Sequence, residues 1–150
     1  MTRSFALQGL LDIATSEADA AAVSLGNLNR QVLLQEQKLA LLIQYRTDYQ
    51  ERLRRAIATG LDAVGLRNFN DFIGRLEQAI AQQRTAIGDA RGRAERGRLH
   101  WQEKQRKSKA FDTLSQRAGA ALVRIENSRE QKSQDDFASH AMRRKSCAQR

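Results

Sequence analysis

The chain contains no proline, only one cysteine and few aromatic residues, which make up 5% of its 150 positions. Scarcity of prolines and aromatic residues disfavours a β-sandwich or barrel. A single cysteine, Cys147, excludes a disulfide framework and fits a reducing cytoplasm. No uncharged stretch approaches the roughly 18 apolar residues that a membrane span needs. The abundant alanine, leucine, arginine and glutamine instead predict long α-helices.

A coiled-coil repeat runs through the first sixty residues. Apolar residues recur at alternating steps of three and four, and the average of about 3.5 is typical of coiled coils. Gln35 and Arg46 interrupt this seam, as polar residues that fix register do. The pattern predicts a first helix over about residues 4–58. The seam positions are Leu7, Leu11, Ala14, Ala18, Ala21, Leu25, Leu28, Val32, Gln35, Leu39, Leu42, Arg46, Tyr49, Leu53, Ala56 and Gly60.

The repeat breaks once, at residues 60–65. Gly60 can adopt the left-handed conformation that ends a helix, and Asn68 is predicted to cap the next one. A second seam follows, at Phe69, Ile73, Leu76, Ile80, Gln83, Ile87, Ala90, Ala94, Gly97 and Trp101 and onward to Ile125. The sequence thus predicts a loop over about 59–68, a second helix over about 69–140 and a basic tail over about 141–150.

The predicted fold is all-α: a long antiparallel two-helix coiled coil forming a single domain over residues 1–150. A short connection makes consecutive helices antiparallel neighbours. With the loop centred near residue 64, Tyr49 is expected opposite Ala79 and Tyr45 near Gln83. Residues beyond about 125 then have no partner on the first helix and are expected to overhang.

Positive charge is concentrated in the second half of the chain. Lys and Arg total 26 against 17 Asp and Glu, and the stretch from Arg91 to Lys109 is the densest in basic residues. Such a stripe attracts acidic proteins, nucleic acid or anionic lipid, or is a solvated face. A basic nucleic-acid-binding coiled coil is therefore one hypothesis. Against it, the basic residues are not interleaved with aromatic residues at a stacking spacing.

The sequence shows no catalytic constellation. It has no glycine-rich phosphate loop and no Ser–His–acid cluster, and His100 and His140 are too far apart in sequence for a local metal site. Two long helices also offer little concave volume from which water could be excluded. We predict no enzymatic activity, no cofactor and no metal.

The apolar stripe widens on both helices toward the loop. A two-stranded seam cannot bury both flanks. The surplus therefore indicates a docking face, or a wide core covered by a third helix or by self-association. The residues of the widened stripe are Leu42, Ile43, Tyr45, Tyr49, Phe72, Ile73, Leu76, Ala79 and Ile80.

These residues belong to an ordered set that resembles the flagellar export protein FliJ family over about residues 5–145. The remaining members of the set are Ile13, Ala14, Glu17, Leu25, Gly26, Glu77, Gln82, Trp101, Lys104, Thr113, Leu114, Arg117, Glu126, Asn127, Gln131, Lys132, Asp136, Phe137 and Ala138.

The resemblance implies a stalk similar in shape to the central stalk subunit of rotary ATPases, within the bacterial flagellar type III export apparatus. The implied partners are the flagellum-specific export ATPase, whose ring assembly it promotes, the cytoplasmic domain of the FlhA-type export gate membrane protein, and flagellar export chaperones. The implied location is the cytoplasm, with peripheral association at the cytoplasmic face of the inner membrane. The equivalent stalk of a virulence-type secretion system is a close alternative.

The resemblance also implies two sets of binding residues. The gate-contacting cluster of the family maps onto Leu42, Tyr45, Tyr49, Phe72, Leu76 and Ala79. The likeness around Gln131, Lys132 and Phe137 implies that this end, with the N-terminus, engages the ATPase. Lys38 and Gln83 depart from the family pattern, in which glutamine and histidine are common at these two positions.

The helix rise per residue gives a measurable prediction. A hairpin of helices this long should form a rod of roughly 80–110 Å in solution, with more than three-quarters of its residues helical. Small-angle X-ray scattering measures this length, and a compact globular profile would contradict the predicted fold.

Overall fold

Two helices make up the described structure. The computed structural model describes residues 2–148 and the side chains of residues 5–147, so the last two residues of the predicted tail lie outside it. Helix α1 spans Thr2–Thr59 and helix α2 spans Ala63–Ala148. The chain divides into two compact units, residues 18–103 and residues up to 17 together with those from 104 onward. In each unit, part of α1 packs against part of α2, and the all-α antiparallel hairpin is confirmed.

The connection between the helices is shorter than predicted. Gly60 has a φ of 99°, which confirms its left-handed conformation. Asp62 caps α2, because its Oδ1 accepts a hydrogen bond of 2.8 Å from the backbone N–H of Gly65. The prediction of a loop extending to residue 68 with Asn68 as the cap was wrong. The aspartate that follows the glycine is an earlier and sufficient cap, and Asn68 lies within α2.

The earlier start of α2 changes which residues face each other. The ring centroids of Tyr49 and Phe72 are 4.1 Å apart, so Tyr49 meets Phe72 rather than Ala79 as predicted. The difference is about two helical turns. It arises because the hairpin turns around residues 60–62 and not around residue 64.

The buried core lies on the two predicted seams. Five of the eight buried residues in the described part of the chain are alanines, whose small side chains let the helix backbones approach closely. Gly97 continues this close packing, because a Cβ atom there would lie 2.6 Å from Cδ1 of Leu28. The buried residues are Ala14, Ala18, Ala21, Leu76, Ile80, Ile87, Ala90 and Ala94.

A polar pair crosses the seam at Gln35. The side-chain amide of Gln83 donates hydrogen bonds to Oε1 of Gln35, at 2.6 Å, and to its backbone carbonyl, at 2.9 Å. A polar pair inside an apolar seam is satisfied in one register only, so it favours that register over its neighbours. Arg46, the other interruption, has a buried Nε without a hydrogen-bond partner among the described residues.

The C-terminal part of α2 extends without cover from α1. Every residue from 119 to 147 is exposed. This stretch begins slightly before the predicted position of about 125, because the shorter connection brings the start of α1 opposite an earlier part of α2. The helix also continues to Ala148 rather than ending near 140, since the sequence after Gly119 contains no glycine or proline to end it.

The contrast between seam and surface predicts a difference in stability. Ile80 is only 2% exposed, so Ile80→Ala should lower the free energy of unfolding by about 2–5 kcal/mol. Leu41 is 53% exposed, and Leu41→Ala should change it by about 0.5 kcal/mol or less. Urea unfolding followed by circular dichroism measures both values, and equal losses would contradict this assignment of the seam.

Candidate interaction surface

Six residues of the widened stripe, which we call the docking surface, lie on facing parts of α1 and α2. Steps of three and four along a helix place side chains on one face, and both triplets have this spacing. All six belong to the unit formed by residues 18–103. They are Leu42, Tyr45 and Tyr49 on α1, and Phe72, Leu76 and Ala79 on α2.

The six residues of the docking surface differ in solvent exposure, from buried to about half-exposed. Leu76 is 9% exposed and belongs to the seam, whereas Leu42, Tyr49 and Ala79 are half-buried. Tyr45 and Phe72 are 49% and 39% exposed. Aromatic rings that are half in solvent beside a buried leucine form an apolar surface to which another protein can bind.

Tyr49 is held by contacts on several sides. Its ring lies 4.1 Å from that of Phe72, at an interplanar angle of 31°, and 6.0 Å from that of Phe69, at 59°. The guanidinium carbon of Arg52 lies 5.4 Å from the centroid of the Tyr49 ring. Aromatic pairs and cation–π contacts of this kind each contribute about 0.5–1.5 kcal/mol. They fix the position of Tyr49 at the centre of the surface.

Two shallow grooves share the Tyr49–Phe72 pair as a wall. The first groove, of about 350 Å³, is lined by Tyr45, Asp48, Tyr49, Arg52, Phe72 and Leu76. The second groove, of about 330 Å³, is lined by Tyr49, Arg52, Asn68, Phe69 and Phe72. The first groove therefore brings together four residues of the docking surface. Leu42 and Ala79 line neither groove and lie one turn farther along their helices.

The sequence interpretation did not include four of the groove residues: Asp48, Arg52, Asn68 and Phe69. A spacing signal was present, because Asp48 and Arg52 each follow a docking tyrosine by three residues and Phe69 precedes Phe72 by three. The predicted register placed Tyr49 opposite Ala79, so these residues were not expected to lie near Tyr49 and Phe72. Phe69 was counted only as a seam residue.

Among the residues that the structure describes, Arg52 is the one cation that lines the two grooves. Glu51 forms ion pairs with Arg54, at 2.8 Å, and with Arg55, at 3.4 Å. The hydrogen bond from Arg54 lowers the pKa of Glu51 below its ordinary value, so this carboxylate is ionised at neutral pH. Arg52 contacts the Tyr49 ring and has no carboxylate partner among the residues whose side chains the structure describes.

The basic stretch between residues 91 and 109 is partly neutralised by ion pairs. Two of these pairs join α1 to α2, and the third lies within α2, where the hydrogen bond from Arg98 lowers the pKa of Glu95. Part of this positive charge therefore faces carboxylates of the chain itself, in exposed pairs that contribute little to stability. The pairs are Arg91–Glu36 at 2.6 Å, Arg98–Glu95 at 2.5 Å and Lys104–Glu17 at 2.9 Å.

The second predicted set of binding residues lies on the uncovered end of α2. Gln131, Lys132 and Phe137 are all exposed, and Phe137 is exposed to 79%. Lys132 and Phe137 line one face together with Arg129 and Asp136, and Gln131 is not part of that face. Of the three predicted residues, the structure thus places Lys132 and Phe137 on one face of α2 and Gln131 outside it.

The described residues contain neither a helix that could span a membrane nor a metal-binding cluster. No helix there combines the length and hydropathy that crossing a bilayer requires. Within the same part of the chain, no group of three or more His, Cys, Asp or Glu side chains is arranged to hold a metal ion.

Comparison with known proteins identifies the family. A family model described as "Flagellar FliJ protein" matches residues 3–146. The chain belongs to the flagellar FliJ family. It is 34% identical over 145 residues to the flagellar FliJ protein of Salmonella typhi, covering 97% of this chain and 99% of that protein. It is 32% identical over 140 residues to the flagellar FliJ protein of Escherichia coli K12, covering 93% and 95%.

Family membership fixes the biological setting of this FliJ family member. The resemblance inferred from the sequence is confirmed, and the chain is a component of the flagellar export apparatus that serves flagellum biogenesis and motility. Both relatives are flagellar proteins, which favours a flagellar export component over a virulence-type counterpart.

The exposure of the docking surface predicts smaller effects on stability than at the seam. Tyr45→Ala should lower the free energy of unfolding by about 0.5–1.5 kcal/mol, because half of the side chain is in solvent. Phe72→Ala should cost about 1–3 kcal/mol, because the partial burial of the ring is lost together with its contact with Tyr49. Thermal unfolding tests this. Losses as large as that of Ile80→Ala would show that these residues are core rather than surface.

Proposed function

We propose that this FliJ family member is a non-enzymatic stalk and adaptor of the flagellar export apparatus. It binds the export ATPase ring and promotes its assembly and activity. It links that ring to the cytoplasmic domain of the export gate membrane protein and to the export chaperones. It works in the cytoplasm and is held peripherally at the inner membrane through the apparatus.

The observation that carries the gate assignment is the half-exposed aromatic groove. Tyr45 and Phe72 stand in solvent on a paired-helix support, and Leu76 beneath them is buried. Large aromatic side chains that are already positioned lose little conformational entropy on binding, so such residues dominate binding energy at interfaces. The groove therefore supports a docking role at the residues that the family resemblance assigns to the gate.

The ATPase assignment is supported by the uncovered end of α2. Residues 119–147 are exposed along the whole circumference of the helix, including the large apolar ring of Phe137. A helix that buries none of its faces against its own chain can be surrounded by a partner on all sides. This is the form that a stalk entering a ring requires.

Direct binding measurements test the gate assignment. The full chain should bind the purified cytoplasmic domain of the gate, and Tyr45→Ala should weaken this binding by about 2 kcal/mol or more. Leu33→Ala, which changes another exposed residue of α1, is the matched control and should bind as the unmodified chain does. Isothermal titration calorimetry measures both. Equal affinities for the two variants would remove the docking role from Tyr45.

ATP turnover by the export ATPase, measured with and without the chain, tests whether the uncovered end of α2 binds the ATPase. Phe137→Ala should reduce the stimulation, whereas Met142→Ala, a similarly exposed apolar change on the same helix, should retain it. Deletion of residues 126–150 should abolish the stimulation and leave the melting temperature nearly unchanged, because the described residues of that segment are exposed. Full stimulation by the deletion variant would place ATPase binding elsewhere.

A further inference from the structure

We infer that gate binding extends from the docking surface into the second groove, where Arg52, Asn68 and Phe69 form a further subsite. The subsite takes an apolar side chain of the gate's cytoplasmic domain with a carboxylate close to it. This inference rests on the proposed gate binding and adds specificity-determining residues that lie outside the six residues of the docking surface.

Continuity of the surface is the first argument. Tyr49, Arg52 and Phe72 line both grooves, so a chain that fills the first groove reaches the second without leaving the surface. Phe69 and Phe72 are three residues apart on α2, about 4.5 Å along the helix axis. Side chains three or four residues apart on a helix of the partner span such a distance.

The lining of the second groove specifies its occupant. The walls are the rings of Tyr49, Phe69 and Phe72, which favour an apolar side chain, and the volume of about 330 Å³ is sufficient for a large one. Asp48 lines only the first groove, so the second contains a cation and no carboxylate. The Arg52 guanidinium lies on the ring of Tyr49 with its hydrogen-bonding groups available to a partner. A carboxylate next to the apolar side chain satisfies this charge.

A matched pair of asparagines provides the test. Asn68 lines the second groove, while Asn70, also exposed, lines neither groove and points about 200° away around the helix. Asn68→Trp fills the groove and Asn70→Trp adds the same ring elsewhere. We expect Asn68→Trp to weaken binding of the gate's cytoplasmic domain by about ten-fold or more, and Asn70→Trp to change it by less than about two-fold.

A second variant tests the charge. Arg52→Gln should weaken gate binding and also make the remaining binding less sensitive to salt, because an exposed ion pair is screened and an apolar contact is not. An unchanged salt dependence would overturn the carboxylate part of the inference. If Asn68→Trp lowers the melting temperature, the pair Asn68→Glu and Asn70→Glu replaces it with the same expected difference, because a carboxylate at position 68 repels the partner's carboxylate and competes for Arg52.

The outcomes separate this inference from the proposed function. If Tyr45→Ala weakens gate binding and Asn68→Trp does not, docking is confined to the first groove and the inference fails alone. If neither variant weakens it, the docking surface itself is misassigned. If Asn68→Trp instead dissociates a homodimer in sedimentation experiments, the second groove holds another copy of the chain, and the inference is also overturned.

Discussion

The register between α1 and α2 is the constraint on which the other features of this protein depend. A three-residue connection and the hydrogen bonds from Gln83 to Gln35 fix it. In this register Tyr49 meets Phe72, and the two rings form the shared wall of both grooves. A shift of one helical turn would separate the rings and leave the amide of Gln83 in the seam without its partner, at a cost of about 1–3 kcal/mol for the unsatisfied group.

Small side chains in the core explain why so much apolar surface remains outside it. Alanines at the seam bring the helices close together, and each contributes less burial than a leucine would. The larger rings at residues 45, 49, 69 and 72 lie near the connection, away from these alanines, and remain partly exposed there.

The two proposed binding regions rely on different physical chemistry. The grooves near the connection are apolar and preformed, so binding there should depend little on salt except through Arg52. The uncovered end of α2 lacks support from α1 and presents charged and apolar residues on every side. This segment therefore depends on its own helix propensity to stay helical. The proposed stalk function makes use of both properties.

The sequence by itself determined the seams, the left-handed Gly60, the uncovered end and the family. Apolar periodicity and glycine conformation are local properties of the chain, and every buried residue of the core lies on a predicted seam position. The family resemblance likewise supplied the six residues of the proposed docking surface, whose binding role stays a prediction. Only the tertiary structure decided the register, because it depends on whether Asp62 or Asn68 caps α2, and both are acceptable caps in sequence. The grooves followed from that choice, since Arg52 and Phe69 acquire a role only when Tyr49 lies against Phe72.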